Sequence, residues 1–555
     1  MFPRRIRFVV LAALVCFISV GSACSQSGLF RQTAGFSKEE IAAQTKQQAL
    51  AQDIVQSTAT LQASDIALPE ELMCFNVNSV QVPSWQSAQL MTATKKLNPR
   101  VLRIPGGEVA NYWSWQRGGI VEDGTPSLEA LPDGLPEYMR YDARLHTGSK
   151  LEDYANALTE TNTQALFVLN MLTSDLAEQI DMLSAAARTG IEIKYLELGN
   201  EYYFGIPNYA HKFPTPEAYG EEAKVWISYL KDIFPDIKVA VFGVVPKEDS
   251  SQRENRWNQA LMNTVLPSAD AVSLHIYPGH GLDPNGFSDQ GYPAFDEGDF
   301  ATIFGEPFRH WQALQRHAAY GLIPADKEVW ITEFNLIEDI FGDNSSRRPR
   351  VMGTWGHGLY ALAMNMMFLE EPRVKMTCNH DLVENFKFGA ILPHEDSFEV
   401  SDQQAYPVEP MSLSATGQAL KMLADGLAGK RDRQLLSFSE QPQMRNREGQ
   451  PYPALYGWRF SDEIESAATS SHLEANDKTS SKGSLVILNL SERIVQLDIS
   501  EIVSSSQIAY KQLSADPRTL VTNEAALTER EETSSSSELV TLSPHSVTQI
   551  HTAKR

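Results

Sequence analysis

Between residues 66 and 400, short apolar segments alternate with longer segments whose apolar residues recur at helical spacing. This alternation is typical of βα units built around a parallel sheet. Eight such strands with helices between them predict a closed (β/α)8 barrel. The rival fold is a doubly wound open sheet, but no glycine-rich phosphate loop follows the first strand. The predicted strands are residues 72–76, 101–107, 165–170, 195–201, 239–243, 271–277, 328–335 and 374–380.

Two of these strands end in a glutamate, Glu201 on the fourth strand and Glu333 on the seventh. Catalytic groups of such barrels lie at the C-terminal ends of the strands, and strands three steps apart can flank one ligand. Two carboxyl groups roughly 5–5.5 Å apart can split a glycosidic bond with retention, whereas a gap of roughly 6.5–9.5 Å admits a water and inverts. We therefore predict a catalytic pair. The alternative is that both are ordinary surface glutamates at strand ends.

Four stretches carry a resemblance to a known family. Residues 198–201 (Leu-Gly-Asn-Glu) and 330–335 (Trp-Ile-Thr-Glu-Phe-Asn) resemble the acid/base and nucleophile motifs of the retaining (β/α)8 glycoside hydrolases of clan A. Residues 102–107 are similar to the Arg-x-x-Gly-Gly stretch of the branch holding α-L-arabinofuranosidases, β-xylosidases and heparanase-like β-glucuronidases. Residues 542–548 resemble the last sandwich strand of those enzymes. The resemblance covers residues 66–550 and implies a retaining glycosidase acting on plant, microbial or matrix glycans.

The resemblance implies that Glu201 is the general acid/base, that Glu333 is the nucleophile and that Asn200 bonds the sugar 2-hydroxyl. For Asn200, the alternative is a strand-end amide that caps a loop. Glu333 must be ionised to attack, so a nearby cation should keep its pKa low. Glu201 must carry a proton at the start of the reaction. Arg103, on the second strand, is the expected cation, and the alternative is a structural ion pair between Arg103 and Glu197.

Further candidates for substrate binding lie at other strand ends. His275 and Tyr277 share one face of the sixth strand, and the clan often places such a pair beside the nucleophile. Trp113 follows the second strand in a loop, where it either stacks on a sugar face or anchors the loop. Asn170 and His380 end the third and eighth strands, and both are candidates for a sugar subsite.

The eighth strand departs from the clan pattern, since residues 378–380 (Cys-Asn-His) stand where many members carry a tryptophan under the sugar. No group of His, Asp and Glu has the spacing of a metal site, so neither a metal nor another cofactor is predicted. The formal net charge of -23 and the sequence pI near 5.0 disfavour a nucleic-acid partner, because an acidic surface repels phosphates. The predicted partner is therefore a carbohydrate.

The pattern changes again after the barrel. Residues 412–427 have helical period, and from residue 430 short alternating runs predict an antiparallel β-sandwich. Breaks rich in Ser, Glu and Asn, at residues 461–482 and 529–537, are expected to be solvated. The predicted domains are an export signal at 1–24, a polar tether at 25–65, the catalytic barrel at 66–428 and the sandwich at 429–555.

The pattern of the first 24 residues predicts an export signal. Arg4, Arg5 and Arg7 precede an apolar run at residues 8–20, which is followed by small residues. Cys24 then matches the lipid-modified cysteine of a bacterial lipoprotein, although Gly21 stands where that signal usually has a leucine. The prediction is a periplasmic, cell-surface or extracellular protein, with a membrane contact only through such an anchor. An uncut signal anchor is the alternative.

The chain has four cysteines, of which Cys74 and Cys378 lie outside the leader. They occur on the first and eighth predicted strands, which are neighbours in a closed barrel, so the two side chains should be close enough to bond if oxidised.

The sequence thus predicts a retaining glycoside hydrolase that works by double displacement. One alternative function is a non-catalytic glycan-binding protein on a decayed glycosidase barrel, and another is an inverting or transglycosylating enzyme. The sequence leaves open the sugar and its linkage, exo or endo action, and the oligomeric state.

Overall fold

The computed structural model describes residues 54–552, apart from residues 64–65, 80–81, 121–148, 246–249, 279–299, 337–350, 385–387, 394–396, 400–404, 447, 463–482, 504–507 and 535–537. The export signal, Cys24 and most of the tether therefore lie outside the described residues, as do nearly all of the expected break at 461–482 and the residues of the 529–537 break after Ser534. Two strands, β1 (Ile54–Leu61) and β2 (Ile66–Ala67), precede the barrel in the chain.

Eight parallel strands close into a barrel in chain order, and its last strand pairs with its first. This confirms the predicted (β/α)8 fold and all eight predicted strands. The strands are buried along almost their whole length, which explains why their sequences are nearly continuous apolar runs. They are β3 (Met73–Asn76), β4 (Val101–Ile104), β5 (Gln164–Leu169), β6 (Tyr195–Leu198), β7 (Lys238–Phe242), β8 (Ala271–Ile276), β9 (Glu328–Phe334) and β10 (Val374–Asn379).

The helices start at the capping residues that the sequence provides. Ser87, Asp175, Thr215 and Ser251 each accept a backbone N–H in the first turn of the helix that follows them. The described helices are α1 (Ala88–Leu97), α2 (Leu151–Thr161), α3 (Leu176–Arg188), α4 (Pro207–Lys212), α5 (Pro216–Ile233), α6 (Gln252–Thr264), α7 (Phe300–Arg316), α8 (Ala318–Gly321), α9 (Trp355–Phe368) and α10 (Ala415–Leu427).

Strand β9 carries an irregularity next to the candidate nucleophile. Its pairing with β8 jumps from Leu274–Ile331 to His275–Glu333, so one extra residue is accommodated on β9. A bulge of this kind breaks the alternation of side chains between the two faces of a sheet. As a result, the adjacent residues Thr332 and Glu333 both reach polar partners inside the barrel.

The strands that follow the barrel are β11 (Ser397–Glu399), β12 (Ala405–Pro407), β13 (Asp432–Phe438), β14 (Gln443–Arg445), β15 (Pro451–Pro453), β16 (Leu455–Ser461), β17 (Ser484–Asn489), β18 (Ile494–Asp498), β19 (Ile508–Ser514), β20 (Thr528–Ser534), β21 (Leu539–Leu542) and β22 (Ser546–Thr552). Most of them form, with β1 and β2, a second sheet system whose strand path is β20-β19-β22-β17-β16-β13-β1-β18-β21, with β2 beside β13. Its apolar side chains, including Leu436, Ile487, Leu497 and Ile550, pack into one core, which agrees with the predicted sandwich. Two short hairpins, β11–β12 and β14–β15, lie off this path.

Two expectations about this region need correction. Ile54–Leu61 was expected within a tether, but it forms β1, which pairs antiparallel with β13 and parallel with β18. Thr528–Ser534 was expected largely within a solvated break, but it forms β20 on the edge of the sheet. Neither segment has a continuous apolar pattern, since one face of β1 is largely exposed and residues 528–533 of β20 are exposed except for the half-buried Arg530. The exposure of β20 agrees with the expected solvation, and only the expected break in the strand pattern is wrong.

The two cysteines outside the leader are bonded to each other. Cys74 and Cys378 are paired directly between β3 and β10, with their Cα atoms 4.0 Å apart. The predicted proximity is confirmed, and the bond closes the barrel covalently between its first and last strands.

Side chains also join the barrel to the sandwich. Trp458 of β16 donates its indole N–H to the carbonyl of Met366 on α9, and Trp355 donates to the carbonyl of His545. Helix α9 is buried on all sides. None of the helices in the described part of the chain is both long and apolar enough to span a bilayer.

Candidate active site

A fully buried arginine organises the C-terminal end of the barrel. Arg103 Nε donates to Glu197 Oε2 at 2.6 Å, and Arg103 Nη1 donates to Asn76 Oδ1 at 2.7 Å. Nη1 also donates to Glu333 Oε1 at 2.8 Å, and Nη2 donates to Asn200 Oδ1 at 2.8 Å. The two roles considered for Arg103 are therefore both present, since one guanidinium pairs with Glu197 and with the candidate nucleophile.

Glu333 is surrounded by groups that favour its ionised form. Its Oε2 accepts a hydrogen bond from Tyr277 OH at 2.6 Å, and the Nδ1 atoms of His275 and His380 lie 3.6 Å from the same oxygen. Burial alone would raise the pKa of Glu333, but His275, His380, Arg103 and the Tyr277 hydrogen bond lower it to about 2. Glu333 is therefore an anion at neutral pH, as a nucleophile requires.

Glu201 lies three residues beyond the end of β6, where the chain turns sharply. Gly199 has a φ of 81°, and Glu201 itself has a φ of 55°. Few residues other than glycine adopt this left-handed conformation, and those that do cluster at functional sites. Glu201 Oε1 accepts a hydrogen bond from Tyr203 OH at 2.8 Å and lies 2.7 Å from His275 Nδ1. The turn thus brings the carboxylate over the barrel mouth.

The two glutamates face each other across this mouth. One carboxylate oxygen of Glu201 and one of Glu333 lie within 4.8 Å of each other, and His275 Nδ1 lies between them. Burial would lower the pKa of His275, but Glu333 and Glu201 raise it above its usual value. An oxygen-to-oxygen distance of no more than 4.8 Å is compatible with the roughly 5–5.5 Å separation of a retaining pair and lies below the roughly 6.5–9.5 Å of an inverting pair.

Glu201, His275 and Glu333 could also hold a cation, since one ligand atom from each lies within 4.8 Å of the others. In the sequence these residues are far apart, so no motif search would group them. The ligand atoms of His275 and Glu201 already share a hydrogen bond. The absence of a metal therefore stays a prediction.

Two glycines let the chain pass close to the site. A Cβ on Gly107 would lie 2.5 Å from Glu333 Oε1, and a Cβ on Gly106, whose φ is 128°, would lie 2.5 Å from the carbonyl oxygen of Val77. The paired glycines of the Arg-x-x-Gly-Gly stretch therefore have a steric explanation in this chain.

The structure brings most of the predicted site residues together: Glu201, Glu333, Arg103, Asn200, His275, Tyr277 and His380. Two others lie in packing or loop structure. Trp113 is buried against Tyr154, which favours the loop-anchoring alternative. The Asn170 amide donates to the Trp113 carbonyl and to Thr173, and its oxygen accepts from Leu172 and Thr173 N–H groups. Its hydrogen-bonding capacity is used within its own loop and in the bond to the Trp113 carbonyl, so the expected subsite role is not supported.

Several residues at the site were missed by the sequence analysis. Asn76 accepts from Arg103, and Thr332 Oγ1 donates to Glu197 Oε1 at 2.9 Å. Asn111 forms hydrogen bonds with both backbone polar groups of Asn200. Its side-chain oxygen accepts a hydrogen bond from the Asn200 N–H, and its side-chain amide donates one to the Asn200 carbonyl. Asn76 is the last residue of β3, and a polar residue at a strand end was its available signal in the sequence.

Comparisons with known proteins add to this geometry. No family model matches the sequence, and no curated protein matches it. Solved structures do match. A family 51 α-L-arabinofuranosidase from Bifidobacterium longum superposes with a TM-score of 0.60 at 15% identity, over 90% of this chain and 99% of that one.

A family 51 arabinofuranosidase from Xanthomonas axonopodis pv. citri gives a TM-score of 0.59 at 15% identity, over 90% of this chain and 100% of that one. The chain has the fold of these enzymes. A 4-O-α-L-rhamnosyl-β-D-glucuronidase from Fusarium oxysporum 12S gives a TM-score of 0.51 at 14% identity, over 90% and 100% of the two chains. At these identities the likeness establishes the barrel-and-sandwich architecture, and the function has to be argued from the site.

Proposed function

We propose that the protein is a retaining glycoside hydrolase in which Glu333 is the nucleophile and Glu201 the general acid/base. The observation that carries the proposal is the pair of carboxylates within 4.8 Å of each other, one of which has its pKa lowered to about 2. Two carboxyl groups with these different environments match the two roles that double displacement needs.

In the first step, an oxygen of Glu333 forms a bond to the anomeric carbon while the bond from that carbon to the leaving oxygen breaks. Glu201 gives its proton to the leaving oxygen, so the leaving group departs as a neutral alcohol. Arg103 and Tyr277 stabilise Glu333 before the attack, through hydrogen bonds to its two oxygens.

In the second step, the Glu201 carboxylate takes a proton from a water molecule, which attacks the anomeric carbon and releases Glu333. The sugar leaves with its original configuration after two inversions. Asn200 is held by Arg103 at its side-chain oxygen, and its Nδ2 atom has no hydrogen-bond partner among the described residues. This amide is suited to donate to a sugar hydroxyl, in agreement with the expected contact to the 2-hydroxyl.

The first substrates to test are α-L-arabinofuranosides, because two matching family 51 structures, with TM-scores of 0.60 and 0.59, are arabinofuranosidases. 4-Nitrophenyl α-L-arabinofuranoside, β-D-xyloside and β-D-glucuronide form the panel, with wild type, Glu333→Ala and Glu201→Ala as the enzymes. We expect Glu333→Ala to lose about 10⁴-fold or more in kcat. Azide should restore Glu201→Ala by forming a glycosyl azide of retained configuration.

Undiminished turnover by Glu333→Ala would show that Glu333 is not the nucleophile. A product of inverted configuration would exclude double displacement. Binding of a glycan without turnover of any panel member by wild type would favour the non-catalytic alternative instead.

We also propose that the chain is exported and that Cys24 is its site of lipid attachment. The support is the sequence pattern of the leader. Fractionation of cells producing wild type or Cys24→Ala is the test: the wild type should be in the membrane fraction, and the variant should move to the soluble exported fraction. An unchanged distribution would reject lipid attachment at this residue.

A further inference from the structure

The two oxygens of the Glu201 carboxylate have different surroundings. Oε1 accepts from Tyr203 OH at 2.8 Å and lies 2.7 Å from His275 Nδ1. Among the described residues, Oε2 takes part in no hydrogen bond, and 20% of the Glu201 side chain is exposed at the mouth. One oxygen is therefore held by the protein, and the other is free to meet a ligand.

Tyr203 is fixed in place by packing. Its ring is 7% exposed and contacts the rings of Phe204, Phe242 and Trp257 at centroid distances of 4.7, 6.0 and 6.1 Å. Burial, followed by the charge of Glu201, raises the pKa of Tyr203 well above its usual value. The phenol therefore keeps its proton and acts as a donor.

The backbone alone does not fix the direction of the Glu201 side chain. Strand β6 ends at Leu198, and Glu201 follows in a left-handed conformation. Among the described residues, the carboxylate is held relative to Glu333 by the contacts of Oε1 with Tyr203 and His275. Tyr203 supplies one of these bonds from the same turn, and it lies outside the residues that carry the family resemblance.

We propose that Tyr203 is a positioning residue for the acid/base, which holds Oε1 of Glu201 so that Oε2 carries the proton delivered to the leaving group. This proposal rests on the glycosidase function proposed above. In a neutral carboxylic acid the oxygen that accepts hydrogen bonds is the carbonyl oxygen, so the proton resides on the other oxygen. It passes from Oε2 to the glycosidic oxygen as the bond from the anomeric carbon breaks, and Oε2 recovers a proton from water in the second step.

Glycosides with different leaving groups test this role. A 2,4-dinitrophenolate leaves without protonation, whereas phenol needs the acid. We expect Tyr203→Phe to lower kcat/KM about tenfold for a phenyl glycoside and less than about twofold for the 2,4-dinitrophenyl glycoside of the same sugar. The probes are the two aryl α-L-arabinofuranosides, or the same pair of β-D-xylosides or β-D-glucuronides if the panel selects that sugar. Because kcat/KM reports the first step, slow hydrolysis of the intermediate does not mask the effect.

Two reference variants serve as controls for the leaving-group comparison. Glu201→Ala should show the same leaving-group selectivity, but more strongly. Tyr202→Phe removes a neighbouring buried phenol whose ring packs against Tyr209 and Phe213, so it should affect both substrates equally. Equal losses for the two substrates in Tyr203→Phe, or no loss in either, would overturn the positioning role while leaving the glycosidase intact. A wild type that hydrolyses none of the probes would reject the proposed function, and this inference with it.

Discussion

At the scale of single residues, the candidate site depends most on Arg103. Its guanidinium is fully buried and meets four acceptors, on Asn76, Glu197, Asn200 and Glu333. A buried charge is tolerated only when it is paired and hydrogen-bonded, and a planar guanidinium can serve several acceptors at fixed angles. The same contacts hold Glu333, Glu197 and the side chain of Asn200 in one arrangement.

Lowering the pH should reduce the stability of the folded protein, because Glu333 is ionised in the folded state. A glutamate in an unfolded chain has a pKa of about 4.3, and the folded-state pKa of Glu333 is about 2. The unfolded state therefore binds the proton more readily, so Glu333 contributes stability above pH 4.3 that is lost as the pH falls toward 2. The expected loss is on the order of 3 kcal/mol in the free energy of unfolding.

Glu333→Gln keeps the shape of the side chain and removes its titration. Urea unfolding of wild type and Glu333→Gln between pH 5 and about pH 2.5 measures the difference. The stability of the wild type should fall more steeply with acid than that of the variant. Parallel curves would show that Glu333 is not held as a paired anion in the folded protein.

Gly107→Ala should disable the site while leaving the fold intact. The added Cβ would lie 2.5 Å from Glu333 Oε1, and that oxygen cannot move away without losing its hydrogen bond to Arg103. A misplacement of this size at a reacting atom costs about 100-fold in kcat. Gly321→Ala is the control, because a Cβ there meets nothing within 4 Å. Near wild-type activity in Gly107→Ala would show that the Glu333 side chain is more mobile than the structure indicates.

At the scale of elements, the sequence predicts strand positions better than strand details. All eight barrel strands could be found because each is a short buried apolar run followed by turn residues. The bulge in β9 could not be found, since alternation along a regular strand would send Thr332 and Glu333 to opposite faces. The contacts of Tyr203 and Asn111 depend on loop conformations, which leave no periodic pattern in the sequence.

The bond between β3 and β10 should stabilise the barrel. Cys74 and Cys378 are 304 residues apart in the chain, so their bond restricts a long segment of the unfolded protein. The double variant Cys74→Ala, Cys378→Ala should lose about 2–5 kcal/mol in the free energy of unfolding. Wild type unfolded and refolded in a reducing buffer is the control, because it loses the bond without losing side-chain volume. Equal stability of oxidised and reduced wild type would contradict this role.

At the scale of the whole molecule, the sandwich is assembled from both ends of the described chain. Strand β1 precedes the barrel, yet it pairs through Ala59–Leu61 with β13 and through Ile54–Thr58 with β18. These partners lie more than 370 residues further along the chain. The periodicity of neighbouring residues carries no information about pairing between such distant segments. The segment that forms β1 was therefore predicted to lie in a tether. The barrel is thus inserted between two parts of one sandwich.

This arrangement makes β1 necessary for the sandwich. A chain that begins at residue 63 would leave residues 436–438 of β13 and one edge of β18 without a partner, although β2 would still pair with Asp432 and Arg433. It would also remove Ala59 from the sandwich core. Unpaired strand edges and exposed apolar surface favour aggregation. We expect this variant to be insoluble or to lose its cooperative thermal transition, as followed by circular dichroism and limited proteolysis. A chain that begins at residue 54 is the matched control, since it keeps every β1 pairing and should unfold like the longer protein. Similar melting of the two truncated chains would show that the sandwich closes without β1 and that its position in the sheet is dispensable.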